Sequence, residues 1–260
     1  MTAYMSELWR LRHFWMALVR NDLRNRYRRS VLGLGWSLLQ PIAMTIVLCT
    51  VFAGVFGMSL SEYAAYLLSG LTFWSFISTA AISGCQSFFQ SEPYIRQHRT
   101  PLAIYPLRTT LGAGYHFLIG MGVVLVAVGI FSGFPNPLVL LGLVPSLGLL
   151  FVFAWSLAVC TGTLNVLFHD TQHLLEIVLQ ILFYITPIIY KPEILIKRHM
   201  GWAIQFNPFA VLLDLVRRPL LDGSLPAVET VQGSLLIVAG TVAIAAMLLR
   251  WCERRLIFFM

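Results

Sequence analysis

The sequence predicts an all-α membrane protein with six transmembrane helices, and three observations support this. The chain has 260 residues, of which 58% are hydrophobic and only 11% are charged. Soluble domains carry about 25% charged residues, so a lipid bilayer is the expected solvent. Apolar runs of the length that crosses about 30 Å of hydrocarbon as helix recur along the chain. The alternating pattern of membrane barrel strands is missing from the sequence, and helices satisfy the backbone in lipid.

Six apolar segments are the predicted spans. They cover residues 35–56, 63–90, 109–131, 138–168, 177–190 and 230–249. The first two contain no charged residue, and the turn signal Phe-Pro-Asn-Pro at 134–137 separates the third from the fourth. The fifth falls short of the required length of about 20 residues and comes close to it when it begins near Leu174 and holds Glu176 at the headgroups. We therefore expect one transmembrane domain over residues 1–260, with no soluble domain.

The basic residues predict how the chain is oriented. With six spans, thirteen of the eighteen lysine and arginine residues fall on the side that holds both termini. The other five are Lys191, Lys197, Arg198, Arg217 and Arg218. Because loops rich in lysine and arginine stay in the cytoplasm, both termini are predicted to be cytoplasmic. This topology and anionic lipid account for the net charge of +7, with no need for nucleic acid.

Residues 1–30 predict an amphipathic helix on the cytoplasmic membrane surface. Apolar residues recur there at helical spacing, at Leu8, Leu11, Trp15, Leu18 and Val19. Arginines lie between them, as in helices that rest in the membrane interface. The segment is too charged for a secretory signal. A plain membrane anchor without a partner explains the same periodicity equally well.

Two segments between the predicted spans each allow two interpretations. Residues 92–103 are short, basic and framed by prolines, so they form either a helix that docks a partner or a positively charged anchor loop. Residues 191–222 are unusually apolar for a loop and are cut by Pro192, Pro208 and Pro219. They form either short helices that dip into the outer leaflet as an outer gate, or an interfacial hairpin over the ends of the spans.

Groups that could support catalysis are sparse. Neither lysine is followed by Ser or Thr after a glycine-rich turn, so the chain has no recognisable nucleotide-binding loop. His169 and His173 stand one helical turn apart without a third ligand, and we interpret them as part of a polar loop. The four cysteines have no metal-binding spacing. We therefore predict no catalytic residue, no metal and no cofactor in this chain.

Two further classes of protein stay open on these observations. A membrane-embedded glycolipid enzyme would need clustered acidic residues, whereas the eleven aspartates and glutamates here are dispersed. An ion-coupled carrier would need buried acidic residues and internal repeats, and the sequence shows neither.

Four motifs resemble those of a known family, in the same order and spacing. They are the segments 27–41, 162–170 and 179–190, and the pair Asn207-Pro208. They are similar to the membrane subunits of type-2 ABC exporters for cell-surface polysaccharides, most of all to O-antigen permeases and then to teichoic acid permeases. The resemblance covers nearly the whole chain. His169 departs from it, since the family commonly has arginine before the aspartate.

The resemblance implies a function and partners. The chain would be the permease of an ATP-driven exporter that moves lipid-linked O-antigen polysaccharide outward across the bacterial inner membrane. Capsule polymer or teichoic acid is the alternative cargo. The permease would form a homodimer and bind a separate nucleotide-binding ATPase subunit, and ATP and Mg would be bound by that subunit.

The resemblance also implies three groups of site residues. Residues 92–103 would be a coupling helix that fits the ATPase, with Glu92, Tyr94, Arg96, Arg99 and Pro101. The lipid carrier or the membrane interface would contact Arg24, Arg26, Arg28, Arg29 and Trp36. The polymer channel would be lined by aromatic faces, namely Phe73, Trp74, Phe76, Phe183, Tyr184 and Tyr190.

Overall fold

The computed structural model describes residues 2–28, 33, 35–57, 59–97, 100–131, 133–197, 199 and 201–252, and regular structure within them is helical throughout. Five helices are long and apolar enough to cross a membrane: α3 (Gly35–Phe56), α4 (Leu60–Gln86), α6 (Ile104–Phe131), α7 (Pro137–Leu167) and α12 (Val228–Cys252). The shorter ones are α1 (Thr2–Arg10), α2 (Arg12–Tyr27), α5 (Glu92–Gln97), α8 (Thr171–Ile185), α9 (Pro192–Lys197), α10 (Gly201–Gln205) and α11 (Pro208–Arg217). The predicted all-helical class is confirmed.

The helix α8 departs most from the predicted spans. A span is predicted at 177–190, whereas the helix covers Thr171–Ile185. It ends there because Pro187 disfavours helical backbone at the residue before it, and Thr186 is extended with φ −75° and ψ 136°. Its 15 residues rise about 22 Å, less than the hydrocarbon thickness of about 30 Å. The count of six spans therefore stays a prediction.

The helix α4 lies at the centre of the bundle and packs against α3, α6, α7, α8 and α11. Near its C-terminal end it approaches α7 so closely that a Cβ on Gly162 would lie 2.6 Å from the Gly84 carbonyl oxygen. Thr161 and Asn165 of α7 each donate to a carbonyl oxygen of α4 at 2.9 Å. Small residues and hydrogen bonds between helices are typical of helix pairs in lipid, and here they fix α4 against α7.

The helix α2 packs along the N-terminal half of α6. Asp22 forms an ion pair with Arg108 of α6. The Tyr27 hydroxyl oxygen lies 2.9 Å from His116 Nδ1, two turns further along α6. The single amphipathic helix predicted at the N terminus is thus two helices that meet at Leu11, and α6 covers part of their apolar face. Their location at a membrane surface stays a prediction.

Three short α-helices, α9 to α11, and a π-helical segment at Arg218–Asp222 occupy the segment 191–222, where gate helices are predicted. The helix α11 begins at Pro208, a position where the missing N–H of proline costs nothing. Asn207 Oδ1 accepts the N–H of Phe209 at 3.0 Å, and Asn207 Nδ2 donates to Thr186 Oγ1 at 2.9 Å. The Asn-Pro pair therefore caps α11 and ties it to the end of α8. Re-entry of this segment into the membrane stays a prediction.

Candidate functional site

The segment predicted to couple to a partner contains the six-residue helix α5, shorter than the predicted 92–103. Arg96 Nε donates to Glu92 Oε1 at 2.8 Å, one turn away. Ile95 is buried in a cluster with Tyr105 of α6, Val166 of α7 and Cys252 of α12. The helix thus has one face fixed to three long helices, while Arg96 on another face is exposed.

Tyr94 connects the coupling segment to the N-terminal helices. Its ring meets the Phe14 ring of α2 edge to face, with centroids 6.1 Å apart. Pro101 is buried after the helix, and Arg99 lies outside the described residues. A short helix held this way can pass a push at its exposed face into α2, α6, α7 and α12. That these residues contact an ATPase stays a prediction.

The C-terminal end of α2 forms a basic surface beside two cavities. Three arginines predicted to contact a lipid carrier are exposed there: Arg24, Arg26 and Arg28. Arg29 lies outside the described residues. One cavity of about 950 Å³ is lined by Arg24, Arg28 and Tyr27, among others. A second of about 170 Å³ is lined by Arg26, Trp36 and again Tyr27. Tyr27 therefore contributes to the lining of both cavities.

Three aromatic residues predicted to line a channel are packed inside the subunit instead. Phe73 has no exposed surface. Phe76 stacks on Phe117 with ring centroids 4.6 Å apart, and the Trp74 ring lies 5.5 Å from that of Phe209. They are buried because α4 packs against α3, α6, α7, α8 and α11. In this conformation they stabilise the core, and a channel role for them stays a prediction.

Aromatic residues at and after the end of α8 surround a cavity of about 380 Å³, where Tyr184 and Tyr190 are joined by Trp202 and Phe206. Tyr184 is 62% exposed and Phe206 81% exposed. Phe183, by contrast, turns towards the Trp74 ring. Trp202 and Phe206 are missing from the predicted channel set. Their signal in the sequence is an aromatic side chain within or directly after a helix too short to bury it.

Arg217 is a buried cation that the sequence reasoning misses. Its side chain donates to the carbonyl oxygens of Pro187 at 2.5 Å and of Tyr66 and Ile188 at 3.0 Å each. Nε also lies 3.3 Å from the Ser69 hydroxyl oxygen. The residue is 7% exposed. The signal that could reveal it is an arginine at the end of the largely apolar helix α11, whose other charged residue is Asp214.

The histidine pair after α7 does not assemble a metal centre in the part of the chain that the structure describes, where no three His, Cys, Asp or Glu side chains converge. His169 is exposed, and its ring lies 5.4 Å from that of Phe89. His173 is exposed as well.

The structure is that of a multi-pass membrane protein. It has five long apolar helices, which pack closely at glycines and are joined by hydrogen bonds between helices. The chain belongs to the ABC-2 type transporter family, whose sequence model matches residues 13–221. Membership in this family implies an ATPase partner and a membrane location.

Individual relatives are similar over most of their length. The chain is 26% identical over 217 residues to an O-antigen export system permease protein of Klebsiella pneumoniae, which covers 81% of each chain. It is 25% identical over 231 residues to the O-antigen export system permease protein of Myxococcus xanthus, with 88% of each chain covered. A polysialic acid transport protein of Escherichia coli is 25% identical over 215 residues, covering 80% of this chain and 81% of the relative. The resemblance found in the sequence motifs is confirmed.

Proposed function

We propose that this chain is the membrane subunit of an ATP-driven exporter that moves lipid-linked O-antigen polysaccharide from the cytoplasmic to the outer side of the bacterial inner membrane. The observation that carries the proposal is the family match over residues 13–221, together with similarity to permeases named for O-antigen export. The similarity to a polysialic acid transport protein supports a polymeric saccharide as cargo and keeps a capsule polymer as the second candidate.

In this proposal two copies of the chain enclose the polymer path, and an ATPase subunit acts on each copy through α5. The anchoring of Ile95 supports this role, because a push on α5 would move the helices that meet in its cluster. ATP and Mg belong to the ATPase, and the permease contributes the mechanical link.

The basic end of α2 would receive the lipid carrier. Its exposed arginines, Arg24, Arg26 and Arg28, are suited to phosphate, since guanidinium groups bind it through paired hydrogen bonds. The predicted topology places this surface at the cytoplasmic headgroups, where the cargo would enter. The cavity around Tyr184 and Trp202 would lie towards the outer side, where flat aromatic faces suit passing sugars.

ATP turnover tests the proposed role. The chain is reconstituted in lipid, alone and with the ATPase encoded beside it. We expect no turnover by the chain alone, turnover by the complex, and at least a tenfold loss in Arg96→Glu, because a charge reversal at the interface costs several kcal/mol. The matched control is Lys197→Glu, which reverses an exposed charge on α9. Turnover without the ATPase, or equal loss in both variants, would contradict the proposal.

The cargo is tested in cells that lack the chain. We expect the O-antigen polymer to disappear from the cell surface and its lipid-linked form to accumulate inside, and the wild-type chain to restore export. If a capsule polymer disappears while O-antigen stays, the second candidate is correct.

A further inference from the structure

The backbone of Ala103, where the coupling segment 92–103 joins α6, is held by side chains of two other helices. Its N–H donates to the Tyr4 hydroxyl oxygen of α1 at 3.1 Å. Its carbonyl oxygen accepts the indole N–H of Trp155, on α7, at 3.2 Å. The residue is 4% exposed. The junction is therefore fixed from both sides by residues that are distant in the sequence.

The sequence beside Ala103 supplies no side chain that could replace Tyr4. The helix α6 begins at Ile104, and N–H groups at the start of a helix need acceptors from outside its own ladder of hydrogen bonds. In a capping box, the side chain three residues after the capping position accepts the N–H of that position. The corresponding residue here is Pro106, whose side chain has no acceptor. The start of α6 therefore depends on a hydroxyl group from α1.

Apolar packing places α1 on the same junction. Leu8 of α1 is buried in one cluster with Ala103 and Ile104, and Trp155 packs against this cluster. Leu8 follows Tyr4 by four residues, so their side chains lie on the same face of α1. The apolar contact thus brings the Tyr4 hydroxyl to the backbone that it binds.

The two N-terminal helices contact the coupling segment near both of its ends. The Phe14 ring of α2 meets the Tyr94 ring near the first end, and α1 holds Ala103 at the last. The indole N–H of Trp15 donates to the Leu8 carbonyl oxygen at 3.2 Å, which ties α2 to the end of α1. The helices α1 and α2 therefore support the coupling segment together.

This support decides where a push on α5 is transmitted. Such a push can bend the chain between α5 and α6, or it can displace α6. Positions at the ends of helices are the ones that most readily absorb changes of backbone angle, and Ala103 is such a position. Bending there would break its hydrogen bonds to α1 and α7. Because bending is opposed, the displacement passes to α6 and α7.

We propose that Tyr4 and Trp155 are positioning residues, which hold the end of the coupling segment so that movement of an ATPase subunit on α5 displaces α6 and α7. The inference rests on the proposed function, because it requires an ATPase that acts on α5. It gives α1 a role in energy coupling, beyond that of a membrane anchor. Without the two hydrogen bonds the ATPase would still hydrolyse ATP, but the chain would bend at Ala103 and each cycle would move less polymer.

The amount of polymer moved per hydrolysed ATP tests the inference on the full chain with its ATPase. The complex is reconstituted in vesicles that contain lipid-linked O-antigen polymer, and ATP turnover and polymer transfer are measured on the same sample. Tyr4→Phe keeps the ring and removes the hydroxyl, and Trp155→Phe removes the indole N–H. We expect each variant to retain the ATPase and its ATP turnover. Each should lower the polymer moved per ATP about fivefold, the effect of one neutral hydrogen bond.

Tyr63→Phe is the matched control. It removes a tyrosine hydroxyl that donates to the Ile189 carbonyl oxygen at 2.9 Å. Tyr63 lies near the N-terminal end of α4, whereas the coupling segment follows the C-terminal end of that helix. We expect this variant to move as much polymer per ATP as wild type. An equal fall in Tyr63→Phe and Tyr4→Phe overturns the proposal, because it indicates a loosening of the whole bundle.

Two further results would overturn the proposal. One is unchanged polymer per ATP in both Tyr4→Phe and Trp155→Phe. The other is loss of the ATPase from Tyr4→Phe, because α1 would then bind the ATPase directly instead of positioning the coupling segment.

The same assay separates this inference from the proposed function. If the wild-type complex moves polymer and both variants move as much per ATP, the positioning role is wrong and the exporter function stands. If the wild-type complex hydrolyses ATP but moves no polymer, the exporter function is wrong, and the inference that rests on it is overturned as well.

Discussion

The guanidinium carbon of Arg217 lies 3.7 Å from the centroid of the Tyr66 ring. This contact joins α11 to α4, and it is reinforced by the hydrogen bond from Arg217 Nη2 to the Tyr66 carbonyl oxygen. The Tyr66 hydroxyl in turn donates to the carbonyl oxygens of Pro187 and Tyr190 at 3.0 and 2.8 Å. Because α8 has ended at this point, these carbonyls lack helical partners. The Arg217–Tyr66 pair supplies donors for them inside the protein.

Replacing Arg217 with lysine should destabilise the chain despite keeping the charge. Lysine has three donors on a flexible stem and cannot reproduce the planar fork that reaches carbonyls on two elements. We expect a loss of about 2–4 kcal/mol, since buried acceptors are left without partners. The measurement is the thermal midpoint of the purified chain in detergent. Arg218→Lys is the matched control, because that neighbouring ion pair with Asp214 is half-exposed and should cost less than about 1 kcal/mol.

The same site predicts that Gly70 cannot carry a side chain. A Cβ there would lie 2.4 Å from Arg217 Nη2 and 3.0 Å from Ile188 Cγ2. Gly70→Ala should therefore displace the guanidinium and lower the thermal midpoint by a similar amount. Gly112→Ala, in α6, meets nothing within 4 Å and should be neutral or stabilising by up to about 1 kcal/mol. Equal midpoints for the two variants would show that the guanidinium is not fixed against α4.

The long helices could be predicted from sequence because their limits are set locally. The first predicted span, 35–56, has the bounds of α3, since glycines flank an uncharged apolar run. The third is predicted to begin at 109, yet α6 begins at Ile104. The predicted segment starts later than the helix because Arg108 interrupts the apolar run. In the folded chain Asp22, distant in sequence, neutralises that arginine, and so the helix can include it.

The sites depend on which helices are neighbours, and periodicity does not reveal this. A helical pattern shows that Thr72, Ser75 and Thr79 share a face of α4, but not that α6 presents Gly120 to it. In the sequence Arg217 looks like a surface residue. Its burial becomes apparent only in the structure, where the carbonyl groups after α8 accept its hydrogen bonds. The burial of the aromatic residues of α4 could not be predicted for the same reason, because the sequence does not show that α4 is central.

The contact between α4 and α7 predicts a strong effect at Gly162. An alanine there would place its Cβ 2.6 Å from the Gly84 carbonyl oxygen and 3.0 Å from Ser87 Oγ. Both neighbours belong to the C-terminal end of α4, so making room for the Cβ would require α4 and α7 to separate. We expect Gly162→Ala to cost about 1–3 kcal/mol by overpacking. Gly148→Ala on the same helix has open space and should not lower the midpoint. A harmless Gly162→Ala would mean that the two helices are further apart.

The ion pair between Asp22 and Arg108 predicts how firmly α2 is held on the bundle. The side chain of Arg108 is 13% exposed and that of Asp22 is 40% exposed. Removing the carboxylate therefore leaves a nearly buried cation without its ion-pair partner. We expect Asp22→Asn to weaken the attachment of α2 by about 2 kcal/mol, less than the 3–5 kcal/mol of a fully buried pair. Limited trypsin digestion measures this, because cleavage after Arg20 and Arg24 requires α2 to leave α6.

A double-mutant cycle distinguishes the ion pair from general damage to α2. Arg108→Met removes the buried cation, so adding Asp22→Asn to it should have little further effect on trypsin sensitivity or on the midpoint. Glu7→Gln, which neutralises an exposed carboxylate of α1, should leave the cleavage rate unchanged. If Asp22→Asn speeds cleavage equally with and without Arg108, the carboxylate stabilises α2 through some other contact, and the ion pair does not hold α2 on α6.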